Sequence, residues 1–341
     1  MKSTDLSSRE KIRFAMFGAG RIGQVHGQNL VNHPQVELTR VCDPVADALS
    51  AMVELTGAAA SDVDAVLSDA SIDAVVVASS TDTHADLIER SVDAGKAVFC
   101  EKPIDLDLQR ARQVQAHVEK NNAICGLGFN RRFDPSFNAL WRAVSEGQIG
   151  SVESVTIISR DPSPPPMAYV KVSGGLYRDM MIHDFDIARW MLGEEPTQVF
   201  AVGSCLIDEQ IGREGDVDSA AVTLTTASGK LCQISNSRRA TYGYDQRVEV
   251  HGSNGMLRIE NPRPTALEGM NDSGSRGELL YDFFMDRYVD AYRLEIDAFV
   301  QALLKGERPN PDQKDGVAAL TLAEAAVESQ QSGRTVAVSI A

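Results

Sequence analysis

The run Gly18-Ala19-Gly20-Arg21-Ile22-Gly23 constrains this chain more than any other feature, because it stands between a short apolar run, RFAMFG at 13 to 18, and a segment of helical spacing. In that context the first glycine permits a tight turn, Gly20 lets the backbone approach a pyrophosphate, and Gly23 allows helix and strand to pack closely. Arg21 and Ile22 open the helix, whose free N–H groups attract phosphate. Asp43 ends the next strand-like run, VELTRVCD at 36 to 43, twenty positions after Gly23. A carboxylate at that place accepts hydrogen bonds from ribose hydroxyls and repels a 2′-phosphate, so the expected cofactor is NAD in preference to NADP.

Three further strand-like runs, DAVVVASS (73 to 80), AVFCEKP (97 to 103) and AICGLGF (123 to 129), alternate with helical segments such as THADLIERSVDAG and DLDLQRARQVQAHVEKNN. That alternation predicts a doubly wound parallel sheet. From about residue 150 the pattern changes to longer strands, SVESVTIISRD, TQVFAVGSCLI, DSAAVTLTT, GKLCQISNS and QRVEVHG, with helices near 176 to 192 and 284 to 305. The expected fold is an α/β Rossmann dinucleotide-binding domain over 1–128, followed over 129–341 by an α+β domain with a large, mostly antiparallel open sheet. PSPPP at 162 to 166 reads as a stiff loop.

With 341 residues the chain is long enough for two cores, and its 48 acidic against 33 basic side chains leave a formal charge of −15. That field repels phosphate backbones and anionic membranes, so neither nucleic acid nor membrane is an expected partner. The first residues, MKSTDLSSREKIRF, hold no apolar leader core, and the expected location is the cytoplasm. Cys42, Cys100, Cys125, Cys205 and Cys232 are scattered without a CxxC, and the six histidines show no ligand spacing with them. They read as reduced core residues, and no metal site is expected.

Beyond the glycine turn, Ser80, Thr81 and His84 follow the third strand on the side where such sheets bind ligands. His84 either touches the cofactor or sits in the first turn of its helix. Between Gly174 and Asp186, a helix would set Asp179 and His183 at i and i+4, with Asp186 at i+7 on the same stripe. Met181, Phe185, Ala188 and Leu192 would form the opposite, core-facing stripe.

The glycine fingerprint, Glu101-Lys102-Pro103 at the end of a strand, and a sheet-rich second half together resemble the Gfo/Idh/MocA family of oxidoreductases over nearly the whole chain. The resemblance implies that Lys102 lies between nicotinamide and substrate, and that Asp179 and His183 are the catalytic aspartate and histidine. Glu101 and Lys102 then join the cofactor-facing set. Four blocks, DMMIHDFDIARW, GFNRRFDPSF, NSRRATYGYDQRVEVHGSNGML and FFMDRYVDAYRLEI, resemble the branch of the family that oxidises inositols. Carried over by position, Lys102, Arg131, Asp179, His183, Asp186, Tyr242 and Tyr288 are the implied substrate contacts, a mixture of donors and acceptors suited to a neutral polyol. Arg131 could instead pair with Asp134, and the two tyrosines could be packing aromatics. Asp161 departs from the pattern of a generic sugar contact.

The implied activity is NAD-dependent oxidation of a ring hydroxyl of myo-inositol or a stereoisomer to the inosose. The same chemistry on scyllo-inositol or a pyranose such as glucose, and a non-enzymatic NAD-binding regulator, are the alternatives. The resemblance also implies a homotetramer joined through the open sheet, with which the β-branched residues on both faces of AAVTLTT agree.

Overall fold

The computed structural model describes residues 10–340, so the first nine residues of the stretch read for a leader lie outside it. Six strands, β1 (Ile12–Phe17), β2 (Val36–Cys42), β3 (Ala59–Ala60), β4 (Ala74–Val77), β5 (Ala97–Cys100) and β6 (Cys125–Leu127), pair in the order β3-β2-β1-β4-β5-β6. All of these pairings are parallel. Helices α1 (Arg21–Asn32), α2 (Ala46–Thr56), α3 (Val63–Ser68), α4 (His84–Asp93) and α5 (Leu108–Lys120) make the crossovers. All four residues of β4, Ala-Val-Val-Val, are buried, as a parallel strand covered on both faces requires. Asp62 and Asp107 accept hydrogen bonds from Ala65 N and Arg110 N, which fixes the starts of α3 and α5. The five strands expected in this half are present. The short edge strand β3 had too little apolar sequence to be read.

The second half starts with α6 (Pro135–Ser145), capped by the Asp134 carboxylate, and continues as β7 (Val152–Arg160), α7 (Met167–Ser173), α8 (Gly175–Asp179), α9 (Ile182–Leu192) and β8 (Pro196–Ser204). There follow α10 (Glu209–Arg213), β9 (Ser219–Thr226), β10 (Leu231–Ser237), β11 (Asp245–Gly252), β12 (Gly255–Ile259), a β13 (Glu268–Asn271) to β14 (Gly274–Gly277) hairpin, α11 (Phe284–Arg287), α12 (Val289–Lys305), α13 (Gln313–Ser332) and β15 (Val336–Ala337). Seven strands form one sheet in the order β12-β11-β7-β10-β9-β8-β15. Only the β10–β7 pair is parallel, so the sheet is mixed and mostly antiparallel. Buried and accessible side chains alternate along β8, β9 and β10, one face turned to a core that includes α9.

The packing divides the chain differently from a single cut at 128. Among the described residues, one unit comprises 10–133 and 290–320, and the other comprises 134–289 and 321–340. The reason is the apolar stripe of α12: Ile296, Phe299, Val300 and Leu303, spaced i, i+3, i+4 and i+7, join the core formed by Phe14, Met16, Val76 and Phe99. Phe299 meets Phe14 and Phe99 edge-on, with ring centroids 6.3 and 5.5 Å apart. Such pairs add about 0.5–1.5 kcal/mol each beyond burial alone. The helix expected near 284 to 305 is present as α11 and α12, and no local signal marks α12 as part of the first unit. No helix among the described residues is long and apolar enough to cross a membrane.

The same helix carries Glu295, 1% exposed, whose two carboxylate oxygens have no hydrogen-bond partner among the described residues. Burial, and then the neighbouring Glu101, push its carboxyl well above the ordinary value of 4.5. A raised folded-state value gives a stability term that is complete below 4.5 and is lost as pH rises through the folded value. We therefore expect the melting temperature of the wild type to fall as pH is raised from about 5 to about 9, and Glu295→Gln to lessen that fall. Melting curves with parallel pH dependence in the two proteins would contradict this account.

Candidate functional site

The glycine turn stands at the point where the order of the parallel sheet reverses, between β1 and β4. Gly18 has φ +100°, and a Cβ there would lie 2.4 Å from Ala78 O and 2.5 Å from Ser79 N. Gly23 is confined in a second way, since its Cβ would meet Gly18 O at 2.3 Å. Gly20, by contrast, has nothing within 4 Å of such an atom and faces open space. It caps α1, whose first turn contains no acidic side chain and whose N-terminal N–H groups receive no side-chain cap. That open, positively polarised turn fits the pyrophosphate of a dinucleotide. Arg21 is exposed and Ile22 half-buried at the start of the helix.

Asp43 lies at the end of β2 as expected, and its carboxylate also organises the turn. Ala19 N donates to one oxygen at 2.6 Å and Val45 N to the other at 2.7 Å. Ser80 is exposed and Thr81 half-buried in the turn after β4, where Ser79 and Thr83 hydroxyls lie 2.6 Å apart. His84 is buried, with Nδ1 2.7 Å from Pro103 O and Nε2 3.1 Å from Ser79 O. Of the two readings of His84, this geometry supports the structural one: both ring nitrogens face backbone carbonyls, and the ring ties the Lys102-Pro103 turn to the end of β4.

Glu101 and Lys102 follow β5, and their environments differ. Lys102 is half-buried, whereas Glu101 is turned inward, its carboxylate 2.7 Å from His26 Nε2. The Glu101 side chain lies in the interior: with Gly128 lacking a side chain, the carboxylate occupies the space a Cβ there would need, 2.9 Å away. His26, Glu101 and Glu295 bring one nitrogen and two carboxylate oxygens within 4.8 Å of one another. Three residues so far apart in sequence left no motif to read.

In the second unit the expected single helix is two segments. Met180 N and Met181 N both donate to Leu176 O, and the widened turn separates α8 from α9. Asp179 ends the first segment and His183 is the second residue of the next, both half-buried. Tyr169 OH donates to Asp179 Oδ1 at 2.8 Å. Met181, Phe185, Ala188 and Leu192 are buried as expected. Asp186 does not share the accessible stripe: α9 is buried on most of its faces, and Asp186 is 1% exposed with Arg189 3.8 Å away.

Arg131 is buried, and its suggested pairing with Asp134 is not the one formed. Asp134 caps α6 and pairs with Arg287, while the adjacent Arg132 bonds Asn310 and Asp315 at 2.7 and 2.8 Å. Tyr288 is also 1% exposed, edge-on to Tyr244, with the Arg287 guanidinium 4.7 Å from its ring centre. Tyr242 is exposed, but its hydroxyl donates to Asp245 at 2.6 Å and accepts from Arg160 at 2.8 Å. Burial works to raise the Asp245 carboxyl, and hydrogen bonds from Arg247, Tyr242 and Asn261 outweigh it and hold it below the usual carboxylate range. Four of the five cysteines are buried and none is bridged; burial pushes the Cys125 thiol up to about 12.

Comparison with known proteins agrees with both halves. Residues 12–129 match the family described as "Oxidoreductase family, NAD-binding Rossmann fold", and residues 137–258 match "GFO/IDH/MocA C-terminal domain". The chain is 52% identical to an inositol 2-dehydrogenase of Rhizobium meliloti, over 96% of this chain and 99% of the relative. It is 44% identical to a myo-inositol 2-dehydrogenase of Thermotoga maritima, over 95% and 98% of the two chains. A crystal structure of scyllo-inositol dehydrogenase from Lactobacillus casei, with bound NAD(H) and scyllo-inositol, superposes with a TM-score of 0.89 at 29% identity, covering 96% of this chain and 99% of that one.

Because Asp43 braces the glycine turn through Ala19 N, Asp43→Ala is expected to weaken NAD binding by about tenfold or more, the loss of at least one charge-assisted hydrogen bond. Titration of NAD against intrinsic fluorescence checks this. Unchanged affinity in a folded variant would remove Asp43 from the cofactor site.

Proposed function

The chain belongs to the Gfo/Idh/MocA oxidoreductase family, and from that membership and the residues described above we propose that it oxidises a ring hydroxyl of myo-inositol, or of a stereoisomer, to the inosose. The observation that carries this reading is the 52% identity, over almost the full length of both chains, to an inositol 2-dehydrogenase. NAD, when bound, supplies the carbon that accepts the hydride. His183 takes the proton of the reacting hydroxyl on an imidazole nitrogen. Asp179 orients that ring and offsets the imidazolium charge that then forms. Lys102 donates a hydrogen bond to the substrate oxygen as negative charge grows on it. The glycine turn and Asp43 hold the dinucleotide, with Ser80 and Thr81 beside it.

Arg131 stays in this reading as a substrate contact. Asp186 and Tyr288, both sealed from solvent, and Tyr242, tied to Asp245, are proposed as supports for neighbouring side chains. A neutral polyol suits Asp179, His183 and Lys102, because each hydroxyl both donates and accepts. We also place the protein in the cytoplasm, in inositol catabolism, with no nucleic-acid or membrane partner.

We propose a homotetramer in which the accessible face of the seven-stranded sheet is covered by other copies. Phe200 and Val202 support it: they alternate with buried neighbours along β8 and are 40% and 51% exposed. Paired Phe200→Asp and Val202→Asp substitutions are expected to lower the mass measured by light scattering to that of a smaller species. A wild-type protein that elutes as a monomer at micromolar concentration would end this reading.

The activity itself is tested by following reduced nicotinamide with myo-inositol, scyllo-inositol, D-chiro-inositol, glucose and galactose. Turnover of myo-inositol with NAD is expected, and Lys102→Ala or His183→Ala should lower kcat/KM on the order of 100- to 10,000-fold. Turnover of scyllo-inositol or glucose alone would move the substrate. NAD binding with no reduction on any of them would favour a regulator.

A further inference from the structure

Arg238, immediately after β10, is among the largest fully buried side chains of the protein and is 1% exposed. An arginine cannot shed its charge, and a buried cation costs several kcal/mol unless anions face it. Two do: Asp179 Oδ2 lies 3.9 Å from Nη2 and Asp216 Oδ2 lies 3.7 Å from it. Neither contact is at hydrogen-bond length, and Nε and Nη2 have no acceptor among the described residues. Backbone anchors the arginine from below, Arg238 N donating to Asp218 O at 2.8 Å.

Both aspartates meet the same short helix, α8. Asp216 Oδ1 accepts Leu176 N at 2.9 Å, and a Cβ on Gly175 would lie 2.8 Å from that oxygen, so Asp216 is fitted closely against the start of α8. Asp179 ends α8 and takes the Tyr169 hydroxyl on its other oxygen, Oδ1. The guanidinium therefore faces the anchored start of this helix through one carboxylate and its end through the other. With Oδ1 bonded to Tyr169 and Oδ2 drawn toward the cation, the plane of the Asp179 carboxylate is set just before the widened turn that leads to His183.

We propose that Arg238 is the positioning residue for Asp179, a fixed charge that orients the carboxylate on which His183 relies, without touching substrate. This rests on the oxidation proposed above. It places Arg238 outside the set of substrate contacts, because the residue is 1% exposed, and predicts that removing it slows the chemical step without weakening substrate binding.

The test is steady-state kinetics with myo-inositol and NAD for Arg238→Met, Arg238→Lys, Asp179→Asn and the double variant Arg238→Met/Asp179→Asn. Arg238→Met is expected to lower kcat about 100-fold, the scale of a sub-ångström to one-ångström misplacement, with KM within about threefold. Arg238→Lys keeps the charge and should recover kcat to within about tenfold of the wild type. The double variant should be no more than about threefold slower than Asp179→Asn alone, because one residue acts through the other. A raised KM with intact kcat, or losses that multiply in the double variant, would overturn the assignment. If Arg238→Met does not fold, Arg238→Lys in the two Asp179 backgrounds decides the same question. If the wild type reduces no nicotinamide with any inositol, the oxidation reading fails. The coupling is then measured by a thermal-unfolding cycle of the same variants, where additive effects would overturn the Arg238–Asp179 link and non-additive effects support it.

Discussion

The backbone of Gly18 lies so close to the end of β4 that a single added carbon would sit 2.4 Å from Ala78 O. That approach joins the C-terminal ends of β1 and β4 at the point where strand order reverses, and a parallel sheet opens its ligand crevice there. Everything on the nucleotide side follows from it. The turn leaves Gly20 facing open space, α1 presents uncapped N–H groups to it, and Asp43 braces the loop from β2. The next two strand ends deliver Ser80, Thr81 and Lys102 on the same edge of the sheet.

Charge in the interior is handled unevenly. Asp218 is buried at no lasting cost because the N–H groups of Leu206, Ile207 and Asp208 and the Ser219 hydroxyl all donate to it, and they outweigh burial to hold its carboxyl low. Asp245 is satisfied in the same way by side chains. Glu295 and Arg238 are the contrasting cases, each with polar atoms that have no partner among the described residues. One stands behind Glu101, next in sequence to Lys102, and the other beside Asp179.

Much of the first unit could be read in advance. Its strands are short apolar runs punctuated by glycine, and its helices carry amphipathic spacing with Asp62, Asp107 or Gly57 at their ends. The core stripe of Met181, Phe185, Ala188 and Leu192 was legible for the same reason. Less was visible where long-range packing chooses among local options. The i, i+4 spacing of Asp179 and His183 suggested one helix, yet Met181 N bonds five residues back and splits it, and Asp186 lies on the buried side of the second segment. Glu101 reads as a ligand-side residue, and only the space above Gly128 and the His26 ring turn it inward.

By itself the sequence determined the local grammar: where strands end, which turn must be glycine, which helix face is apolar, and which residue types recur in an oxidoreductase of this family. Those properties depend on neighbours a few positions away, so spacing encodes them. Tertiary structure alone decided which distant groups meet. It placed α12 on the first sheet through Phe299, gathered His26, Glu101 and Glu295, and set Arg238 between Asp179 and Asp216. Contacts of that kind have no period in the chain, because they arise from the shape of a packed interior in which a buried charge must take whichever counter-charge the fold brings within reach.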